Sequence, residues 1–389
     1  MGADGMLKLL FVDDQLNDDS SSASIAARKL EAIDEYSIIR ADFSDAEQKI
    51  DDIVPDLIIL DLQEETASGE RSFTGTSTCE WIWENRFCPI VVYSAFPDQL
   101  SETHRSHPFI EVVKKGTKGV ESLKRSITKL RPHIESIREA EKSIRKEFSV
   151  AMREVAPYAY DTFKDNPDRR NDAILRSGRR RLAALMDGLS KDGTRLASWE
   201  QYLCPPVCPD IQLGDILRKT DGKDDPASFR VVLTPSCDLV SSGGRKPKVD
   251  KVLVACCCPI EDALMRIQMK PGRKKLNDGK ELEAFKERLT KHILTQGYHK
   301  MMIPFPCLEG RIPAMAADLR ELEFIPLGDI GLSDKTFLRI ASIDSPFREL
   351  VSWAYLQIAC RPGLPDRDFN LWCDEIVALL KEEKKKDCS

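Results

Sequence analysis

The sequence has no long apolar run. Its longest apolar stretches, such as 57–60 and 89–92, are strand-sized, far short of the about 18 to 20 residues of a membrane-spanning helix. A membrane is therefore not expected among its partners. No basic segment leads into an apolar stretch near residue 1, so no secretory leader is expected. There is no excess of positive charge either. The 58 Lys and Arg stand against 64 Asp and Glu, for a net charge of −6, which argues against a protein that coats nucleic acid along its whole length. Internal repeats and long low-complexity tracts are also missing.

What is present is an ordinary globular composition, 42% hydrophobic and 31% charged over 389 residues. That length suggests two or three domains at about 150 residues each. Twelve cysteines are scattered through the chain. Reduced thiols in a cytoplasmic protein are the expected state, with metal binding an option for some of them.

Residues 7–131 alternate strand-like and helix-like patterns. Apolar runs at 8–12, 37–41, 55–62, 89–95 and 109–113 are separated by helical spacings at 21–33, 44–53 and 79–85, and a further helix is expected at 120–130. This order predicts an α/β domain over 1–131, a doubly wound five-stranded parallel sheet. Residues 132–163 read as one long helix. Its apolar positions, counted from Leu123 through Ile127, Leu130, Ile134, Ile137, Ile144, Phe148 and Met152 to Val155, step close to a heptad. Pro132 is expected to break or kink it. Two readings stand: a helix packed on a neighbouring domain, or one that pairs two copies in a homodimer. Residues 164–200 read as a basic linker with a short helix. Residues 201–389 read as an α+β domain, with a small β-barrel as one option.

Polar residues fall at the C-terminal ends of the expected strands: Asp13 and Asp14, Asp61, Ser94 and Lys115. Ligands of an open parallel sheet bind at those ends, so these residues converge. Three carboxylates gathered there repel one another unless a cation joins them, and Mg²⁺ with oxygen ligands fits. A carboxylate can also attack a phosphoryl group and form an aspartyl-phosphate.

The segments FVDDQ, DLIILDLQ, VVYSAF and VVKKG, in this order, resemble the response-regulator receiver domain of two-component signalling, over about the first third of the chain. The resemblance implies a flavodoxin-like fold and a histidine kinase as partner. It makes Asp61 the phospho-acceptor and Asp14 a direct Mg²⁺ ligand assisted by Asp13. The Gln63 carbonyl is a further ligand, Ser94 and Lys115 contact the phosphoryl group, and Ala95 leaves access. The chain departs from the family in a longer loop after Asp61, in Val112 where an aromatic switch residue often stands, and in Gly116 for the usual proline.

The second region is less informative. LGDILRKT, SFRVVLTPSCDLV and KVDKVLVACCCPI resemble, weakly, MazF/PemK-like toxin barrels and uncharacterised bacterial domains with a Ser-Cys-Asp-Leu core, and Asp318, Leu319 and residues 361–365 extend the pattern. Cys204, Cys208, Cys237 and Cys256 to Cys258 are weighed as zinc ligands against unligated thiols. Cys237 as a nucleophile needs a base, and only His292 and His299 lie in this half. The basic run Arg169, Arg170, Arg176, Arg179, Arg180, Arg181 lacks a helix-turn-helix signature and interleaved aromatics. It reads as solvated linker, as do 273–275 and 382–386, and nucleic acid is not an expected partner. The expectation is a response regulator that controls a C-terminal domain without DNA binding, with phage defence as one setting. The alternatives are a phosphate sink or adaptor that buffers a kinase, a nuclease-like effector and, last, a DNA-binding regulator.

Overall fold

The computed structural model describes residues 6–65, 71–186, 195–222, 224–272, 277–299, 301–360 and 368–386. The segments 273–275 and 361–365 singled out in the sequence lie outside them, as does 66–70 in the loop after Asp61. The chain divides into two compact units, 1–189 and 190–389.

The first unit runs β1 (Leu7–Val12), α1 (Ser22–Glu31), β2 (Tyr36–Ala41), α2 (Ala46–Ile53), β3 (Leu57–Leu60), a short hairpin of β4 (Glu64–Glu65) and β5 (Arg71–Ser72), and α3 (Thr74–Asn85). It continues with β6 (Ile90–Ser94), α4 (Glu102–Arg105), β7 (Ile110–Lys114), α5 (Gly119–Thr162) and α6 (Pro167–Met186). The sheet order is β2-β1-β3-β6-β7 and every pairing is parallel. That order, with helices on both faces, is the flavodoxin-like receiver fold. Its layering follows from the period of a strand. On β1, Leu9 and Phe11 face α1 and α5, while Leu10 and Val12 face α2 and α3.

Helix α5 is 44 residues long, with Pro132 and Pro157 inside it, and spans about 66 Å at 1.5 Å per residue. Pro132 does not interrupt it, because tertiary contacts hold both sides. Leu130 and Ile134 are buried against the sheet. One turn further on, the Arg138 guanidinium donates to both oxygens of Asp56, at 2.5 Å each, and to the Met6 carbonyl at 2.8 Å. The Lys8 amide donates to the same carboxylate at 2.7 Å.

The basic stretch expected to be linker holds the 20-residue helix α6. Ile174, Gly178, Leu182 and Leu185 recur at helical spacing along it. Gly178 is buried, and a Cβ there would stand 2.0 Å from Met152 Cε. Part of the heptad seam is thus covered by α6 of the same chain. The Arg170 guanidinium lies 4.5 Å from the Tyr160 ring centre.

The second unit contains β8 (Tyr202–Leu203), β9 (Asp215–Lys219), β10 (Phe229–Val232), α7 (Ser236–Leu239), β11 (Lys251–Pro259), α8 (Ile260–Arg266), α9 (Gly279–Leu289), β12 (Met302–Phe305), β13 (Met315–Pro326), β14 (Ile330–Gly331), β15 (Phe337–Ile343), α10 (Phe347–Ala359) and α11 (Phe369–Lys386). Its sheet follows β12-β13-β11-β10-β9-β15-β14, with β8 also on β15. All pairs are antiparallel except β14 with β15. The sheet curls: the Tyr202 hydroxyl on β8 donates to the Pro306 carbonyl just past β12 at 2.8 Å. Among the described residues no backbone ladder joins β8 to β12.

A buried ion pair braces this sheet. Gly214, at φ +80°, turns the chain so that Asp215 points inward. Asp215 accepts from Arg339 Nε at 2.8 Å, from the Ser342 hydroxyl at 2.6 Å and from the Gln212 amide at 2.9 Å. Arg339 also donates to the carbonyls of Cys208, Pro209 and Asp210 at 3.0–3.1 Å, tying in the loop before β9. Asp215→Ala leaves a guanidinium buried without its counter-charge, so it lowers the unfolding free energy by about 3–5 kcal/mol. Urea titration of the full chain measures this, and a loss below about 1 kcal/mol would show that the pair does not hold the sheet.

Candidate functional site

The C-terminal tips of β1, β3, β6 and β7 converge at one end of the parallel sheet. Asp13 follows β1 and is fixed by its amide bonding to the Ala41 carbonyl at 3.1 Å. Asp61 follows β3 and its amide bonds to the Val12 carbonyl at 3.0 Å. Lys115 follows β7, with its amide on the Ser94 carbonyl at 2.9 Å. The ladder that builds the sheet therefore also sets these side chains in place.

Lys115 Nζ donates to Asp13 Oδ2 at 2.7 Å and to Asp61 Oδ2 at 2.6 Å. The remaining oxygens face main-chain donors: Asp13 Oδ1 accepts from the Gln15 amide at 2.9 Å, and Asp61 Oδ1 from the Leu62 amide at 2.7 Å and the Gln63 amide at 3.3 Å. Asp14 completes the cluster, and one oxygen from each of Asp13, Asp14 and Asp61 lies within 4.8 Å of the others. Asp13 and Asp61 are buried and Asp14 is half-buried. Burial raises the Asp13 carboxyl above the usual carboxylate range; Lys115 pulls the other way, and the Asp61 charge adds to the rise. Burial also works against the Lys115 ammonium, but the two carboxylates outweigh it and leave its pKa raised.

Three carboxylates and one ammonium leave a formal charge of about −2, and oxygen donors within one ion's reach suit Mg²⁺. Asp13, Asp14 and Asp61 are the residues that would hold it. Gln63 enters the site through its amide on Asp61. Ser94 is fully buried at the end of β6, its hydroxyl accepting from the Phe96 amide at 3.3 Å, and Ala95 beside it is exposed.

Two residues at the site escaped the sequence reading. A Cβ on Gly75, in the first turn of α3, would lie 2.0 Å from the Asp61 carbonyl oxygen, so only glycine lets that helix start against the end of β3. Its signal was a glycine shortly after the acidic strand end. Tyr93 is buried at 1% exposure directly before Ser94, in a segment quoted for its serine alone.

The cysteines of the second unit do not assemble. Among the described residues the three carboxylates form the only group of three or more metal-ligating side chains. Cys257 alternates with Cys256 and Cys258 along β11 and is buried, which pushes its thiol pKa up. Cys204 donates to the Ile340 carbonyl at 3.4 Å. The Ser-Cys-Asp-Leu segment forms α7 and ties loops together. The Ser236 hydroxyl accepts from the Leu213 amide at 3.0 Å, and Asp238 accepts from Lys248 at 2.9 Å. Cys237 faces Asp238 Oδ1 at 3.6 Å.

No family model matches the chain, and none of the curated proteins matches it. Solved structures similar to it include the N-terminal domain of the nisin resistance regulator NsrR, a lantibiotic response regulator; it is 20% identical, covers 31% of this chain and 94% of its own, and has a TM-score of 0.25. A two-component transcriptional regulator AraC from Clostridium phytofermentans is 21% identical over 33% of this chain and 96% of its own, at TM-score 0.23. The RcsB response regulator of Salmonella typhimurium is 16% identical over 48% and 94%, at TM-score 0.24. The receiver-like class of the first unit rests on its sheet order and layers.

A divalent cation held by this cluster would compete with Lys115 for Asp13. Lys115→Ala therefore tightens Mg²⁺ binding by about tenfold, a modest part of the Coulomb repulsion it removes. Calorimetric titration with Mg²⁺ reads this, and an unchanged or weaker affinity would show that the lysine does not occupy the cation's place.

Proposed function

We propose that the chain is a two-component response regulator whose Asp61 carboxylate accepts a phosphoryl group from a histidine kinase. The observation that carries this reading is Asp61 held at the C-terminal end of the sheet beside Asp13 and Asp14, with Lys115 bridging it to Asp13. A carboxylate oxygen of Asp61 forms the new bond to phosphorus. The P–N bond of the donor phosphohistidine breaks, its electron pair returns to the imidazole, and a proton from water restores the neutral ring. Lys115 gives up its contact with Asp61 and pairs with the phosphoryl oxygens. Ser94 donates its hydroxyl to another of them. Mg²⁺, when bound by the acidic cluster, neutralises charge developing on the transferred group.

The second unit then serves as the partner of this switch. In its most motif-like segment, Ser236 and Asp238 are engaged with Leu213 and Lys248, which favours a binding or adaptor role over catalysis. The same observation supports the second reading, a phosphate sink that drains a kinase. Ile144 and Phe148 on α5 stay 41% and 47% exposed, and pairing of two copies through that helix belongs to this proposal.

The test is transfer of labelled phosphate, with Mg²⁺, from an autophosphorylated histidine kinase or acetyl phosphate. Label on the wild type, reduced at least a hundredfold in Asp61→Asn, is the expected result. Equal labelling of the two proteins would refute the acceptor. A lifetime of minutes with a change in oligomeric state favours the switch, and decay without any such change favours the sink.

A further inference from the structure

We propose that Tyr93 is a positioning residue for the Lys115 ammonium in phosphoryl transfer, an inference that rests on reading Asp61 as the acceptor. Lys115 Nζ lies 5.8 Å from the centre of the Tyr93 ring, within the range in which a ring face attracts a cation. The ring itself is fixed. Phe11 packs against it edge-on, with centres 6.1 Å apart and planes at 75°. From the opposite element, Gly119 at the head of α5 comes so close that a Cβ would stand 2.8 Å from the tyrosine Oη and 3.1 Å from Cε2.

The need for such a platform follows from the site. Lysine carries its charge on a four-carbon stem with many rotamers. Both of its present partners change during the reaction: Asp13 is claimed by a cation, and Asp61 is converted to an acyl phosphate. The ring face is the contact whose charge stays constant throughout. It keeps the ammonium over the site between the state paired with carboxylates and the state paired with phosphate. Because successive side chains of a strand point to opposite faces, Tyr93 does this from the α1 and α5 side of the sheet. Val112 on β7 packs with the cluster on the other side.

The experiment measures first-order labelling of the full chain by radiolabelled acetyl phosphate with saturating Mg²⁺. The proteins are the wild type, Tyr93→Phe, Tyr93→Leu, Lys115→Ala and the Tyr93→Leu/Lys115→Ala double variant. Tyr93→Phe keeps the ring and stays within twofold of the wild type. Tyr93→Leu is about three- to tenfold slower. The double variant is no slower than Lys115→Ala alone, because the tyrosine acts through the lysine. Should Tyr93→Leu not fold, Gly119→Ala pushes the ring from the other side, and it is expected to slow labelling at least twofold only where Lys115 is present. A wild-type rate in Tyr93→Leu, or a loss repeated in full on top of Lys115→Ala, overturns the proposal. Failure of the acceptor reading shows separately, as undiminished labelling of Asp61→Asn.

Discussion

One ammonium group shared by two buried carboxylates organises the first unit. Lys115 meets Asp13 and Asp61 at 2.7 and 2.6 Å, and without it two negative charges would face each other in a buried place. Like charges that close force up the pKa of at least one acid or draw in a cation. The chain has both compensations to hand: a lysine that fits between the carboxylates, and a third acid, Asp14, whose oxygen lies within 4.8 Å of theirs and with them could hold a cation. Such an arrangement is poised rather than inert. A change of charge on Asp61, or a cation held by Asp13, would alter the two contacts that fix Lys115.

The fold places that poise at the head of a long element. Helix α5 begins at Gly119 against Tyr93, crosses the sheet, and is clamped at the opposite end by Arg138 on Asp56. It then continues to meet α6 around Met152 and Gly178. Helix α5 is thus gripped at two points about 28 Å apart along its axis. Its first turn touches the residue under Lys115. The second unit is braced independently by the Asp215–Arg339 pair, with polar side chains that the sequence makes prominent spent on holding loops.

Much of the first unit could be read in the amino-acid order. Its central strands β3 and β6 are buried on both faces, as parallel strands covered by helices must be, and Asp13, Asp61, Ser94 and Lys115 sit at or just past the ends of β1, β3, β6 and β7. Only a short helix was expected within 164–200, and the full extent of α6 was hidden because its apolar positions are thinly spread among arginines and aspartates. The continuity of α5 through Pro132 was hidden as well. A proline's local cost is visible in sequence, whereas Asp56, the partner that outweighs it, lies 82 residues away from Arg138. Gly75 and Tyr93 act through close approach between distant segments. The cysteines, weighed as zinc ligands against unligated thiols, form no group of metal-ligating side chains among the described residues, and strand alternation along β11 turns Cys257 away from its two neighbours.

The most direct test of the central claim is to locate the phosphoryl group chemically. Borohydride reduces an aspartyl-phosphate to homoserine, so the chain is treated with acetyl phosphate and Mg²⁺, reduced, digested and sequenced by mass spectrometry. The account predicts homoserine at position 61 and nowhere else, and only when Mg²⁺ was present. Homoserine at another aspartate, or a phosphorylated chain with Asp61 unchanged, would contradict it.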